Sequence, residues 1–502
     1  MLKIPIFKTK KNIHAIEDIY DGETYKKLSS KGQILEQWYN FSFTMNTDGC
    51  QISNSSRSSA WPVYVELNEL PPHMRKKYVM LAAIFVDDKH PKMNNLLRPF
   101  TTELRKLYTK GVTWRPSEIT KVTSKFIVVT CTLDAPARAA VVRIKNFNGY
   151  FGCTFCYAEG ESLSRGKFIY PFSQSYGKLR TDCELLADMK FVTKEGIQRH
   201  GIKGFSALTA LPLFSITKGV VVDTMHAAFL GADVIKIIDK ILLSIKPPRR
   251  ARTPRSINFY AQWKASEWRN WLDYAPACLK PVLEEKYVNH LALLSEAMHY
   301  LNSDSITLSE LDRASMLLKE YVKLFEEFFG TEKMTSNIHS LTHLARCVMN
   351  WGPSWVHNAF IFEAWNRNII ESLSSPNARE DQIATRFLMQ RFLNTSAFDK
   401  SIASETRDYI VKKLKVVDET VEIGFADKFV LEGKPTIRSL TEGLIAQNFS
   451  HACYGFDTQF IHEVDKNHTN FIQETSRIRP AIKITTIGAT YAIKLANCWE
   501  TD

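Results

Sequence analysis

The sequence contains no run of about 18 consecutive apolar residues, the length a membrane-spanning helix requires, so a transmembrane segment is not expected. Its basic start, MLKIPIFKTKKN, is followed by no apolar stretch of signal-peptide length, so a secretory leader is not expected either. No internal repeat and no long low-complexity segment interrupts the 502 residues, which argues against a solenoid or a repeat array. Close cysteine pairs are also scarce. The nine cysteines are scattered, and Cys153-x-x-Cys156 in NGYFGCTFCYAEG (148–160) is the single close pair. That pattern excludes a disulfide framework and points to a reducing compartment, where such a pair serves as a metal half-site, a redox couple or two buried thiols.

What is present reads as globular: 45% hydrophobic and 24% charged residues, with room for about three domains at roughly 150 residues each. The formal net charge of +12 favours a polyanionic partner such as nucleic acid or an acidic membrane surface. One basic run stands out, KPPRRARTPR (246–255), which carries Lys246, Arg249, Arg250, Arg252 and Arg255 among three prolines. The prolines make it a loop. It is a DNA-contacting loop, a nuclear-localisation patch or a solvated linker.

After a poorly patterned opening, residues 38–46 alternate. Tyr39, Phe41, Phe43 and Met45 fall on one face and polar residues on the other, the pattern of a half-buried strand. Residues 61–68 form a second strand. Residues 78–86, apolar on both faces, predict a third and central one. Residues 93–109 carry apolar side chains at helical spacing, with Pro99 in the first turns. A fourth strand spans 126–133, and a helix with proline in its first turn spans 135–146. From about 176 to 335 the chain is mostly helical, as in 227–245 and 308–329, with Trp263, Trp268 and Trp271 as core aromatics. The last hundred residues mix strand-like runs such as 481–495 with polar loops.

Two aspartates follow strands, Asp48 after the first and Asp134 after the fourth. Carboxylates on neighbouring strand ends can bridge two Mg²⁺ or Mn²⁺ ions for phosphoryl transfer. The bland alternative is a turn at Asp48-Gly49 and a helix cap at Asp134. The order strand, strand, strand, helix, strand, helix, with acids after the first and fourth strands, is the ribonuclease H plan, and that plan needs a third acid on a later helix. Glu363, in NWGPSWVHNAFIFEAWNRNIIESL (350–373), opens a helical pattern beside large aromatics and is expected to be partly buried. Glu371 is its competitor, two turns further on.

NIHSLTHL (337–344) supplies the other half of the cysteine question. On a helix, His339 and His343 project from one face. With Cys153 and Cys156 they would complete a closed, structural Cys₂His₂ zinc site. A redox pair and unmetallated core residues are the alternatives. In VVVDTMHAAFLG (220–231), Asp223 and His226 form an i, i+3 couple that would touch a scissile phosphate or act as a structural cap.

Four stretches taken together resemble the CACTA (En/Spm) superfamily of DNA transposases, in its TNP2-like group. They are NTDGCQISNSSRSSAWPVYVELNELPP, LDAPARAAVVRIKNFNGYFGCTFC, VVDTMHAAFLGAD and NIHSLTHLARCVMNWGPSWVHNAFIFE. The catalytic subunit of the antigen-receptor recombinase is more distantly similar. The resemblance implies a DDE transposase with Asp48, Asp134 and Glu363 holding two Mg²⁺ (or Mn²⁺) ions, Cys153, Cys156, His339 and His343 holding a structural Zn²⁺, and His226 in a catalytic role. It implies cleavage at transposon ends followed by attack of the freed 3′-hydroxyl on target DNA.

The expected fold is α/β: a ribonuclease H-like core, with a mixed five-stranded sheet and helices, interrupted by a large α-helical insertion and tied by the zinc site. The expected segments are a lead segment (1–35), the first part of the core (36–150), the cysteine half-site with the helical insertion (151–335), the histidine half-site with the last core helix (336–400), and a C-terminal region (401–502). Residues 1–35 show no zinc-finger spacing and no clear helix-turn-helix. Expected partners are double-stranded DNA (terminal repeats and target) and further copies of the chain in a dimer or higher oligomer, with no membrane, in the nucleus. The alternatives are a domesticated DNA-binding or chromatin protein that performs no strand transfer, and a ribonuclease H-like nuclease that only hydrolyses.

Overall fold

The structure, a computed structural model, describes residues 12, 14–52, 58–116, 119–163, 167–172, 178–224, 242–243, 255–256, 258–259, 263, 265–375, 377–396, 401–414, 420–422 and 430–432. The chain forms two compact units, one of residues 1–242 and 256–389 and one of 243–255 and 390–502. In the second unit the described residues include a helix, Ser404–Leu414, and an antiparallel pair of short strands, Thr420–Glu422 and Val430–Glu432.

The first unit is built on a mixed sheet. β1 (Phe41–Thr47), β2 (Ser59–Leu67) and β3 (Met80–Asp87) are antiparallel neighbours. Helix α1 (Met93–Thr109) and a small hairpin, β4 (Val112–Trp114) and β5 (Val122–Ser124), follow. β6 (Phe126–Leu133) returns parallel to β1, and helix α2 (Ala135–Val142) leaves it. After α3 (Asp182–Glu195), β7 (Val220–Val222) joins β6 in parallel. The order across the sheet is β7-β6-β1-β2-β3. The two-residue strand Cys50–Gln51 also pairs with β2, making six strands among the described residues where five are expected.

β1 differs from its half-buried expectation, since all seven of its residues are buried. Phe43 and Met45 pack with Leu97, Phe100 and Leu104 of α1. The polar face is buried as well, and most of its polar groups have partners, Asn46 Oδ1 and the Thr47 hydroxyl being the exceptions among the described residues. The Thr44 hydroxyl lies 2.7 Å from both Asn68 Oδ1 and Thr130 Oγ1, and Asn46 Nδ2 donates to the Thr132 carbonyl at 2.8 Å. Such bonds contribute roughly 1 kcal/mol each but avoid a larger desolvation penalty. β3 is not central. Among the described residues it is an edge strand paired with β2 alone, and its apolar character on both faces is explained by helices above and below: Met80, Ala83 and Phe85 pack towards the α1 side and Leu81, Ile84 and Val86 towards Phe362 and Trp365.

Helix α1 matches its expected span. It buries Met93, Leu96, Leu97, Phe100 and Leu104 on one stripe and keeps Pro99 inside. α2 stops four residues short of the expected end, because Arg143 turns into the left-handed region at φ 60°. The described residues beyond β7 are mostly helical: α4 (Ala265–Leu279), α5 (Glu285–Leu301) and α6 (Leu308–Phe329), the last opened by a capping box between Thr307 and Glu310. Trp263 meets Trp268 and Trp271 edge-on, at 4.9 and 6.0 Å between ring centres. α7 (Ser336–Leu341), α8 (Leu344–Trp351) and α9 (Phe360–Glu371) bring the chain back to the sheet. Among the described residues, no helix is long and apolar enough to cross a membrane. The expected helix over 227–245 (apart from 242–243) and the strand-like run 481–495 lie outside the described residues.

Candidate metal centre and carboxylate edge

The Cys-x-x-Cys lies in the loop after α2. Gly152 is required there: a Cβ on it would stand 2.4 Å from the Asn146 carbonyl and 2.7 Å from the Tyr170 hydroxyl. The loop is cross-braced by one side chain. Arg180, 4% exposed, donates from Nε to the carbonyls of Cys153 and Cys156, both at 3.0 Å, and from Nη2 to those of Phe151 and His200. The Phe155 amide donates to Cys153 Sγ at 3.4 Å, a bond that favours the thiolate.

His339 belongs to α7, but His343 does not share its helix. α7 ends at Leu341, and His343 is the residue before α8, with φ −96° and ψ −10°. The two imidazoles therefore converge across a break between two short helices rather than from one continuous face. Their Nε2 atoms are 3.3 Å apart, Cys156 Sγ is 3.3 Å from His339 Nε2, and Cys153 Sγ is 3.5 Å from His343 Nε2. All four donor atoms lie within 4.8 Å of one another. With Zn–S near 2.3 Å and Zn–N near 2.0–2.1 Å, a tetrahedral site has N–N edges of about 3.3 Å and S–N edges of about 3.6 Å. The cluster has those dimensions, so the residues fit zinc. Tyr170 stacks on His339, and Phe155 lies against His343.

The electrostatics point the same way. Burial opposes ionisation of Cys153, but the Cys156 hydrogen bond and the neighbouring His343 and His339 carry it well below the ordinary thiol range. Its bond to Cys153, and then burial, push Cys156 up. Burial lowers His343. One thiolate thus suppresses the second, and a cation between them removes that conflict.

The carboxylates occupy an edge of the sheet. Asn46 pairs with Thr132 in parallel register and Val222 with Leu133. Asp48, Asp134 and Asp223 therefore follow three adjacent parallel strands at equivalent positions. Asp48 and Asp134 are half-buried and Asp223 is buried. Asp48 Oδ1 accepts from the Gly49 amide at 2.7 Å, and a Cβ on Gly49 would strike the Trp61 ring at 2.5 Å. Asp134 caps α2 by accepting from the Ala137 amide at 2.7 Å. The helix cap at Asp134 is realised, but the expected turn at Asp48-Gly49 is not: Thr47 pairs with Val63 and Cys50 with Ala60 in one register, so the chain runs on along β2 through Asp48.

Glu363 lies in the first turn of α9 and is exposed, not partly buried. The reason is helical phase: Phe362, Trp365 and Ile369 take the buried stripe, with Phe362 stacked on Tyr64 of β2. Glu371 is exposed as well. The start of α9 is tied to the strand ends. Asp223 Oδ1 accepts from the Ala359 amide at 3.2 Å, and the Thr132 hydroxyl donates to the His357 carbonyl at 3.1 Å. Among the described residues, the three acids Asp48, Asp134 and Glu363 do not converge as the cysteine–histidine set does. Their oxygen chemistry suits Mg²⁺ or Mn²⁺.

His226, Lys246, Arg249, Arg250 and Arg252 lie outside the described residues, and Arg255 is exposed. Arg180 was invisible to sequence reasoning, because its partners are backbone carbonyls of a loop whose shape no spacing reveals. Asp223 carried a signal, an acid directly after an apolar run, as Asp48 and Asp134 do.

Residues 15–175 match the model of the transposase family tnp2. The match spans Asp48, Asp134 and both cysteines, while the histidines and Glu363 lie beyond it. It supports a transposase-related, DNA-processing function. No curated protein matches the chain.

Proposed function

We propose that the protein is a DDE-type DNA transposase of the CACTA kind, with a ribonuclease H-like core. The observation that carries this reading is the shared register of Asp48 and Asp134 at the ends of adjacent parallel strands, in a segment that matches tnp2. The sheet order β7-β6-β1-β2-β3, with a helix carrying Glu363 fastened to the ends of β6 and β7, supports the core assignment.

Asp48, Asp134 and Glu363 would hold two Mg²⁺ or Mn²⁺ ions. Such ions, when bound, activate the attacking oxygen and stabilise the leaving one in phosphodiester chemistry. The chain's own part is positioning. Backbone amides fix the aspartates, and Asp223 and Thr132 fix the entry to the Glu363 helix. Pre-set geometry of this kind lowers the barrier without a covalent protein intermediate. Cys153, Cys156, His339 and His343 would hold a structural zinc that ties the Asp134 side of the chain to the Glu363 side. His226 would contact the scissile phosphate, and the basic run from Lys246 to Arg255 would contact DNA or direct the chain to the nucleus. The protein would act on double-stranded DNA as a dimer or higher oligomer.

The test is an assay on supercoiled plasmid in Mg²⁺ or Mn²⁺, with a labelled oligonucleotide bearing a free 3′-hydroxyl. Metal-dependent nicking and joining by the wild type, both lost in Asp134→Asn, is the expected result. Nicking without joining favours the nuclease. DNA binding with neither reaction favours the domesticated protein.

A further inference from the structure

The β4–β5 hairpin lies in the chain between α1 and β6, at the end of β6 remote from Asp134. It is pinned at its base. Trp114 Nε1 donates to Ser124 Oγ at 2.6 Å, the Trp114 ring lies 6.5 Å from that of Phe41, and the Lys125 amide donates to Asn40 Oδ1 at 2.8 Å. Outwards it offers a facing pair of exposed hydroxyls, Thr113 and Thr123, 2.9 Å apart. Near its tip Ile119 is 98% exposed.

The surrounding charge has one sign. Residues 105–125 contain Arg105, Lys106, Lys110, Arg115, Lys121 and Lys125 against a single acid, Glu118. All six cationic residues are exposed. Lys106 pairs with Glu103 at 2.6 Å, and Lys125 lies over the Tyr108 ring at 5.8 Å. No ion pair of Lys110, Arg115 or Lys121 is found among the described residues. A folded two-stranded ribbon with exposed hydroxyls and flanking cations has the dimensions and donors to engage duplex DNA along its grooves and phosphates.

We propose that this hairpin is a duplex-DNA contact separate from the carboxylate edge. Lys110, Arg115 and Lys121 meet phosphates, and Thr113 and Thr123 donate to the backbone. The eight residues of β6, at about 3.3 Å each, set it about 25 Å from Asp134. That is a span of about seven base pairs at roughly 3.4 Å per pair. The hairpin therefore grips DNA well away from the reacting phosphate and adds affinity and register rather than chemistry. The inference rests on the reading of the chain as a DNA-handling protein.

The experiment measures affinity of the full chain for a 40-bp duplex (about four helical turns) by fluorescence anisotropy across a salt series. It compares the wild type with the triple variant Lys110→Gln, Arg115→Gln, Lys121→Gln. All three sites are exposed, and circular dichroism checks that the fold is kept. The expected result is a log affinity–log salt plot less steep by about 0.9 for each lost contact, with affinity restored in the charge-keeping variant Lys110→Arg, Arg115→Lys, Lys121→Arg. An unchanged slope in a wild type that binds duplex overturns the hairpin assignment and leaves the DNA reading standing. A wild type with no salt-dependent duplex binding overturns both. Loss of binding to single-stranded RNA, with duplex binding intact, overturns the duplex assignment in favour of RNA.

Discussion

The cysteine–histidine cluster and the carboxylate edge lie in the same unit and differ in how their donors are held. The cluster draws four side chains from two stretches of sequence to within 4.8 Å of one another. It closes them in with Tyr170 and Phe155 and braces the loop with Arg180. The edge sets two half-buried aspartates and an exposed glutamate on a strand break, a helix cap and a first helical turn, and does not gather them. Under the proposed function, this is the difference between a structural site, complete before its substrate arrives, and a site that would bind hydrated cations and phosphate oxygens and so stay open.

Breaking the cluster is expected to have the largest effect. Wild-type protein should hold about one zinc per chain by elemental analysis, and Cys156→Ser should lose it with a fall in melting temperature of roughly 10 °C or more. Unchanged zinc content and stability in the variant would remove the Cys₂His₂ assignment. Asp134→Asn should behave oppositely. Asparagine caps a helix about as well as aspartate, so the melting temperature should hold, while nicking should fall by about 10³-fold, or roughly 4 kcal/mol. A variant that nicks like wild type takes Asp134 out of the site.

A third prediction separates both centres from an ordinary buried acid. Burial raises the Glu66 carboxyl to about 7, and the side chain is 2% exposed. An unfolded glutamate titrates near about 4.3. The folded state therefore favours the neutral form, and stability is lost as pH rises from about 4.3 to about 7, with the penalty complete above that. Glu66→Gln should stabilise the protein by up to about 3 kcal/mol at pH 8 and by little at pH 4.5. Equal gains at both pH values would refute it.

The smallest effect concerns the tie between strand ends and α9. Asp223→Ala leaves the Ala359 amide without this acceptor and should cost about 1–3 kcal/mol, with a matching drop in nicking. Asp223→Asn retains an acceptor oxygen and should recover most of both. If Asn and Ala prove equally impaired, the charge of Asp223 matters and not its hydrogen bond.

Much of the first unit was legible beforehand. The apolar spacing in 93–109 and the buried run 126–133 gave spans that match α1 and β6. Both are local patterns, decided by which side chains must share one face. The half-buried reading of β1 failed because Thr44, Asn46 and Ser42 find partners on β6 and around Asn68 that no local window contains. β3 looked central because composition reports burial of faces and not the pairing of edges. The exposure of Glu363 turned on helical phase, which only the packing of Phe362 against Tyr64 fixes.

By itself, the sequence determined the chemistry on offer: two thiols and two imidazoles at ligand spacing, acids directly after strands, and an excess of positive charge. Residue identity and short-range spacing are properties of the chain, and folding does not alter them. Only the tertiary structure decided that His339 and His343 meet across a helix break, that Arg180 braces the cysteine loop, that Asp223 stands level with Asp134, and that the cations of residues 105–125 are exposed on and beside a hairpin. Each of these depends on contacts between segments tens to hundreds of residues apart, and such contacts are set by how strands pair and helices pack.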